Sequence, residues 1–205
     1  VVSPSRYLIG WLKSQGWGLA GGNEEQVVVL QNPRSSSIPI IQSTEDISPD
    51  PSVREIIFFG RHEERKGLPI FISAIDRLRR AGELPEEIRI TILGGLGEIG
   101  EVPSLLYLRD SLKGWNQVDL RLLTDYSRSQ VEAYLSINSH EKLVCICSPY
   151  ENSPYTVVEA IEAGCMVITS NAGGAKEIIK TGPGYNGAIS MNSLDLTKAI
   201  KDAIK

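Results

Sequence analysis

Several things are scarce or missing in this chain of 205 residues. No stretch approaches the ~20 consecutive apolar residues that span a bilayer, which excludes a transmembrane helix from the expected architecture. There is no basic surplus: 21 Lys and Arg stand against 25 Asp and Glu, a formal charge of −4. General nucleic-acid binding by phosphate neutralisation is thereby excluded, and useful positive charge must be concentrated at one small ligand. Cysteine is limited to three, an odd number. Cys145 and Cys147 lie in the apolar run Leu143 to Cys147, which reads as a buried strand, so structural thiols in a reducing compartment are expected rather than a disulfide framework or metal site. The opening Val-Val-Ser-Pro carries no initiating methionine, charged n-region or apolar h-region, and reads as a piece of a longer protein without a secretory signal. No repeat of solenoid period is present.

What is present is an ordinary globular composition, 41% hydrophobic and 22% charged, in a length that suits one α/β domain with a short lead-in. From Glu55 onward, short β-rich runs alternate with helical patterns. The runs are Glu55 to Phe59, Ile88 to Leu93, Val118 to Leu123, Leu143 to Cys147, Val167 to Ser170 and a weak Ala188 to Ser190. Helices are predicted over Leu68 to Arg80, Ser104 to Lys113, Ser129 to Ile137, Pro154 to Ala163, Ala175 to Lys180 and Leu194 to the C-terminus. This alternation implies an α/β fold with a doubly wound parallel sheet, its continuous apolar strands covered on both faces. Residues 1–52 differ. Ser5 to Gln15 has helical spacing through Tyr7, Leu8, Trp11 and Leu12; Val27 to Leu30 reads as a strand; Ser35 to Ser52 is linker-like. These residues are taken as a bridging segment, with the domain proper at 53–205.

Ligands of doubly wound sheets bind beyond the carboxyl ends of the strands. Gly60-Arg61-His62-Glu63-Glu64-Arg65-Lys66-Gly67 sits at such an end. Gly60 lets the backbone leave the strand tightly, Arg61 offers a planar fork for phosphate oxygens, and Lys66 supplies a compact charge near a helix start. Cations at a helix N-terminus are unfavourable unless an anion is near, and a diphosphate would relieve this. The alternative is a solvated loop in which Glu63 and Glu64 pair with Arg65 and Lys66. His62 is expected at the loop surface.

The stretch Glu151-Asn152-Ser153-Pro154-Tyr155-Thr156-Val157-Val158-Glu159 follows the fourth strand and opens a helix. Ser153 suits the N-cap and Pro154 the first helical position, so the amides of Tyr155 and Thr156 form an anion site. Glu151 lies at the mouth. Glu159 lies nearly two turns in among apolar neighbours, where a carboxylate needs hydrogen-bond partners such as two ribose hydroxyls; otherwise both are exposed acids.

Gly-Arg, four residues, Lys-Gly after the first strand, with Glu, seven residues, Glu around the fourth helix, resembles the C-terminal domain of retaining glycosyltransferases of family 4. Gly173-Gly174-Ala175-Lys176-Glu177 is similar to that family's Gly-Gly-x-x-Glu turn. The likeness covers about residues 53–190 and rests on three motifs in order. It implies a Rossmann-like C-terminal half of a GT-B fold whose donor substrate is a nucleotide-diphosphate sugar, with no cofactor and no metal. Arg61 and Lys66 would hold the diphosphate and stabilise its charge as the glycosidic bond breaks, Glu151 would sit beside the transferred sugar, and Glu159 would bind ribose. Gly60, Asn152, Ser153, Pro154, Tyr155 and Thr156 would complete the site. The resemblance also implies an N-terminal acceptor domain as partner, without which donor and acceptor are not held together and catalysis fails.

The chain departs from the family in having Ser153-Pro154-Tyr155 where many members have Gly-Phe-Gly. The run Ile92-Leu93-Gly94-Gly95-Leu96-Gly97 is expected as a flexible turn lining the donor crevice and not as a dinucleotide fingerprint. Competing readings are another GT-B enzyme, such as a sugar-nucleotide epimerase or a phosphorylase-like protein, and a non-catalytic interaction module. A cytoplasmic location follows from the absent signals, compatible with a peripheral membrane contact of the full-length protein.

Overall fold

The apolar runs and the helices between them form three layers. The computed structural model describes residues 2–17, 27–30, 53–179 and 186–205. In chain order these hold β1 (Val2–Ser3), α1 (Arg6–Ser14), β2 (Val28–Val29), β3 (Glu55–Phe59), α2 (Leu68–Arg80), β4 (Arg89–Leu93), β5 (Glu98–Ile99), β6 (Val102–Pro103), α3 (Ser104–Ser111), β7 (Asp119–Leu123), α4 (Arg128–Ser136), β8 (Lys142–Ile146), α5 (Tyr155–Glu162), β9 (Met166–Ser170), α6 (Ala175–Ile179), β10 (Asn186–Ile189) and α7 (Ser193–Ala203). Asn32-Pro33, the linker-like Ser35 to Ser52 and Lys180 lie outside the described residues.

The main sheet runs β10-β9-β8-β3-β4-β7, every pair parallel. The chain builds outward from β3 through β4 to β7, returns to the other side of β3 with β8, and builds outward again. The direction of winding therefore reverses between β3 and β8, so that the loops leaving their carboxyl ends diverge to opposite faces and leave a crevice. This is the doubly wound α/β sheet expected from the sequence.

Alternation within β3 explains the layering. Ile56 and Phe58 pack into one core with Phe71 and Ile75 of α2 and Leu196 and Ile200 of α7. Ile57 and Phe59 pack into the other with Leu135 of α4, Val157 and Ala160 of α5 and Ile178 of α6. All of β3 and β8 is buried, whereas β7, at the sheet edge, is partly exposed. Cys145, Cys147 and Cys165 are free and buried. Burial pushes all three thiols up, Cys165 to about 12, which keeps them protonated and unreactive.

A buried polar knot ties α4 to the amino-terminal end of the sheet. Glu55 and Lys142 are partners in the β3–β8 register, and each is 6% exposed. Glu55 accepts hydrogen bonds from Thr91 Oγ1 and Tyr134 Oη. Lys142 Nζ donates to the Tyr134 carbonyl and, at 2.6 Å, to the Ile137 carbonyl, with the Tyr134 ring 4.5 Å away. Burial raises the Tyr134 phenol to about 12 and lowers the Lys142 ammonium. A strand that opens on Lys142 reads as beginning one residue later, at Leu143. The carbonyls that satisfy its ammonium come from α4 and the loop after it.

Among the described residues, no helix is long and apolar enough to cross a membrane.

Candidate functional site

The two charged motifs leave the carboxyl ends of β3 and β8, the two strands that flank the reversal of winding. Their backbones touch. Gly67, at the start of α2, has φ 76°, and a Cβ there would lie 2.6 Å from the carbonyl carbon of Cys147. Only a residue without a side chain lets the α2 N-terminus approach β8 this closely. The approach brings Lys66 to Glu151, and their side chains form an ion pair, 21% and 22% exposed. Residues 85 positions apart are thus partners at one point of the crevice. Gly60 is buried, but a Cβ there would make ordinary contact with Phe58 and Lys66, so the chain does not use its conformational freedom to leave β3.

Arg61 is engaged elsewhere. Its Nε lies 2.9 Å from Glu63 Oε1, and Arg65 Nε lies 2.8 Å from Glu63 Oε2. The local pairing expected for a solvated loop therefore holds for Glu63 and Arg65, but Lys66 reaches across to Glu151 instead. Arg61, Glu63, Glu64, Arg65, Gly97, Glu98 and Gly100 line an open cavity of about 520 Å³.

His62 corrects the sequence reading. It is 0% exposed, its ring edge-on to Phe58 at 6.2 Å and its amide donating to the Gly95 carbonyl at 2.9 Å. Neither ring nitrogen has a hydrogen-bond partner, and burial lowers its pKa to about 4. The run Gly94 to Gly97, expected as a flexible turn, is hydrogen-bonded to its surroundings. Besides His62, it is held by Gly94 N to the Leu123 carbonyl at 3.0 Å, Ser104 N to the Gly97 carbonyl at 2.9 Å and Gly97 N to Ser104 Oγ at 3.2 Å. Of the helix opening at the second motif, α5 begins at Tyr155, and Pro154, not Ser153, holds the N-cap position without a side-chain cap. The expected start was one residue early, because Pro fits both sites: its φ of −72° suits a first turn, but its ψ of 119° is extended. Tyr155 and Thr156 still form the first turn, with their amides at the positive end of the helix.

Glu159 faces α4. Its side chain is 17% exposed, with Arg128 Nε 3.5 Å from its Oε1, and Arg128 also pairs with Glu132 at 3.0 Å. Burial raises the Glu159 pKa, opposed by the charge of Arg128. Arg128 carried no signal in the sequence; only the return of α4 toward α5 makes it a neighbour.

The third motif fastens the N-terminal segment. Glu177 accepts the amides of Arg6 at 3.0 Å and Tyr7 at 2.9 Å, capping α1. Ser5 Oγ donates to Asn152 Oδ1 and accepts Leu8 N at 3.2 Å. The Gly174 amide donates to the Glu151 carbonyl at 2.8 Å, and a Cβ on Gly174 would lie 2.9 Å from that of Ser5.

The family model described as Glycosyl transferases group 1 matches residues 42–205. No curated protein matches the chain. Among solved structures, HepE of Anabaena in complex with UDP and glucose is similar over 100% of this chain and 53% of its own, with a TM-score of 0.67 and 19% identity. Sucrose-phosphate synthase of Thermosynechococcus elongatus is similar over 100% and 48%, with a TM-score of 0.66 and 14% identity. The lipopolysaccharide outer core galactosyltransferase WaaB, in its apo form, gives 100% and 53%, a TM-score of 0.63 and 16% identity. The chain spans about half the length of these structures, and at such identities the likeness is one of fold.

Proposed function

The chain belongs to the glycosyl transferases group 1, and from that premise we propose that it is the donor-binding half of a retaining glycosyltransferase, whose whole chain moves a sugar from a nucleotide-diphosphate sugar to an acceptor. The observation that carries this reading is the meeting of the two motif loops at the reversal of winding, where Lys66 touches Glu151. The UDP and glucose in the HepE structure support the donor class.

On this reading, the bond from the anomeric carbon to the diphosphate breaks with its electron pair going to the leaving oxygen. Arg61, Lys66 and the first-turn amides of Tyr155 and Thr156 stabilise that growing charge, so no metal is required of this domain. Glu151 leaves Lys66 and turns to the hydroxyls of the sugar, with Gly60, Asn152, Ser153 and Pro154 forming the wall beside it. Glu159 holds the ribose hydroxyls, with Arg128 beside its carboxylate. Residues 53–205 form this donor domain and residues 1–52 bridge to an N-terminal domain that supplies the acceptor. The isolated chain binds donor without turning it over. A cytoplasmic location is proposed, in keeping with the three free, buried cysteines.

Titration calorimetry with UDP, GDP and ADP, without added metal, tests the reading against an Arg61→Ala, Lys66→Ala double variant. One nucleotide should bind the parent and fail with the variant. If none binds at millimolar concentration, or the variant binds equally, the donor site lies elsewhere. The anomer formed by the full-length enzyme, read by NMR, tests retention.

A further inference from the structure

We infer that Glu63 is a positioning residue that sets the affinity of the donor site by competing with phosphate for Arg61, and that Arg65 is the cation that receives Glu63 when the competition is lost. The inference rests on the donor-site reading of Arg61.

The geometry is that of one carboxylate shared between two guanidiniums. Arg61 Nε engages one oxygen of Glu63 and Arg65 Nε the other, at 2.9 and 2.8 Å. The two arginine side chains are 61% and 64% exposed, while that of Glu63 is 16% exposed. The carboxylate is therefore the fixed member and the arginines the movable ones. Two features fix it. A Cβ on Gly97 would lie 2.7 Å from Glu63 Cγ, so the turn after β4 presses against the side chain. Its backbone is held as well, its amide donating to the Arg61 carbonyl at 2.8 Å and its carbonyl accepting Lys66 N at 3.1 Å.

The charge around Arg61 does not favour an anion as it stands. The cavity is lined by Arg61 and Arg65 against Glu63, Glu64 and Glu98, a formal sum of −1. Arg61 serves a diphosphate only by leaving Glu63, and the structure provides for that departure. Its guanidinium is largely exposed, and Glu63 keeps Arg65 on its second oxygen, so no buried charge is stranded. An exposed ion pair shifts an equilibrium by roughly two- to fivefold, which bounds what the competition withholds from the ligand. A purely structural Glu63 has the opposite consequence, since removing it would loosen the loop and weaken binding.

The test is calorimetric titration of the whole chain with the nucleoside diphosphate that binds the parent, using Glu63→Gln, Arg65→Gln, Arg61→Ala and the pairs Glu63→Gln/Arg61→Ala and Glu63→Gln/Arg65→Gln. Thermal unfolding of each variant establishes that it is folded. Glu63→Gln should tighten binding by about two- to fivefold, and lose that gain when Arg61 is also replaced. Arg65→Gln should weaken binding by a similar factor, because Glu63 then falls wholly to Arg61, and should have no effect beside Glu63→Gln. Unchanged or weaker binding by Glu63→Gln overturns the inference, as does a gain that persists without Arg61. Binding that requires Arg61 but ignores Glu63 sinks this inference alone. Binding indifferent to Arg61, or none by the parent, sinks the donor-site reading and the inference with it.

Discussion

Replacing Gly67 by alanine should be among the most damaging single-methyl additions to the domain. Its φ of 76° is left-handed, which costs an L-residue about 1–2 kcal/mol. The added Cβ would also sit 2.6 Å from the Cys147 carbonyl carbon and 2.8 Å from the Cys147 Cβ. Both belong to the chain just past β8, in the close-packed centre of the sheet, so α2 must retreat from β8 to relieve the overlap. Forced overpacking of this kind costs a further ~1–3 kcal/mol. A total near ~3 kcal/mol should lower the unfolding midpoint by about 6–12 °C for a domain of this size. Gly82 provides the control: its φ is 66° and nothing lies within 4 Å of its Cβ position. Gly82→Ala therefore meets only the conformational cost, worth about 2–8 °C. Circular dichroism melts of the two variants beside the parent measure the difference. Should Gly67→Ala melt no lower than Gly82→Ala, the close approach of α2 to β8 is refuted, and with it the reason Lys66 reaches Glu151.

Three further outcomes are expected. His62 is held neutral, with a pKa near 4 against an ordinary 6.5. The unfolded chain thus binds a proton that the folded one refuses between those values, and stability falls as pH drops through that window; urea midpoints at pH 7, 5.5 and 4.5 should lose part of this slope in His62→Leu, and an unchanged slope would place the burial of His62 in error. Glu177→Gln removes the charged cap on α1, so hydrogen exchange at the Arg6 and Tyr7 amides should quicken by about tenfold while α2 and α5 stay protected; equal protection would mean that α1 is held by other contacts. Glu159→Gln should weaken nucleotide diphosphate binding by about tenfold and erase the preference for the ribose form over its 2′,3′-dideoxy analogue; a preserved preference would remove Glu159 from the ribose.

The layering was legible in the sequence because it depends on local pattern. Glu55 to Phe59 and Leu68 to Arg80 coincide with β3 and α2, since an unbroken apolar run and a 3.6-residue stripe each bury one way only. The other strands shifted by a residue or two, as at Lys142, whose burial depends on carbonyls from α4 and the loop that follows it. The site was legible as a set of residue types and not as a set of contacts. Lys66 and Glu151 were both identified, but that each is the other's partner follows only from the approach of Gly67 to Cys147. Arg128 beside Glu159 and Ser5 beside Asn152 join residues 31 and 147 positions apart, and no spacing encodes either. His62 misled because its neighbours in sequence are charged, while its neighbours in space are Phe58 and the Gly95 turn.

The docking of α1 has a mechanical consequence. Glu177 grips the first turn of that helix, Ser5 grips Asn152, and the Gly174 amide grips the carbonyl of Glu151. Three segments of distant origin are thus riveted at one junction, one residue away from the carboxylate that engages Lys66. The seat of the N-terminal helix and the loop that presents Glu151 to Lys66 are therefore parts of one hydrogen-bonded junction, so the position of α1 and that of the Glu151 backbone share the same anchors.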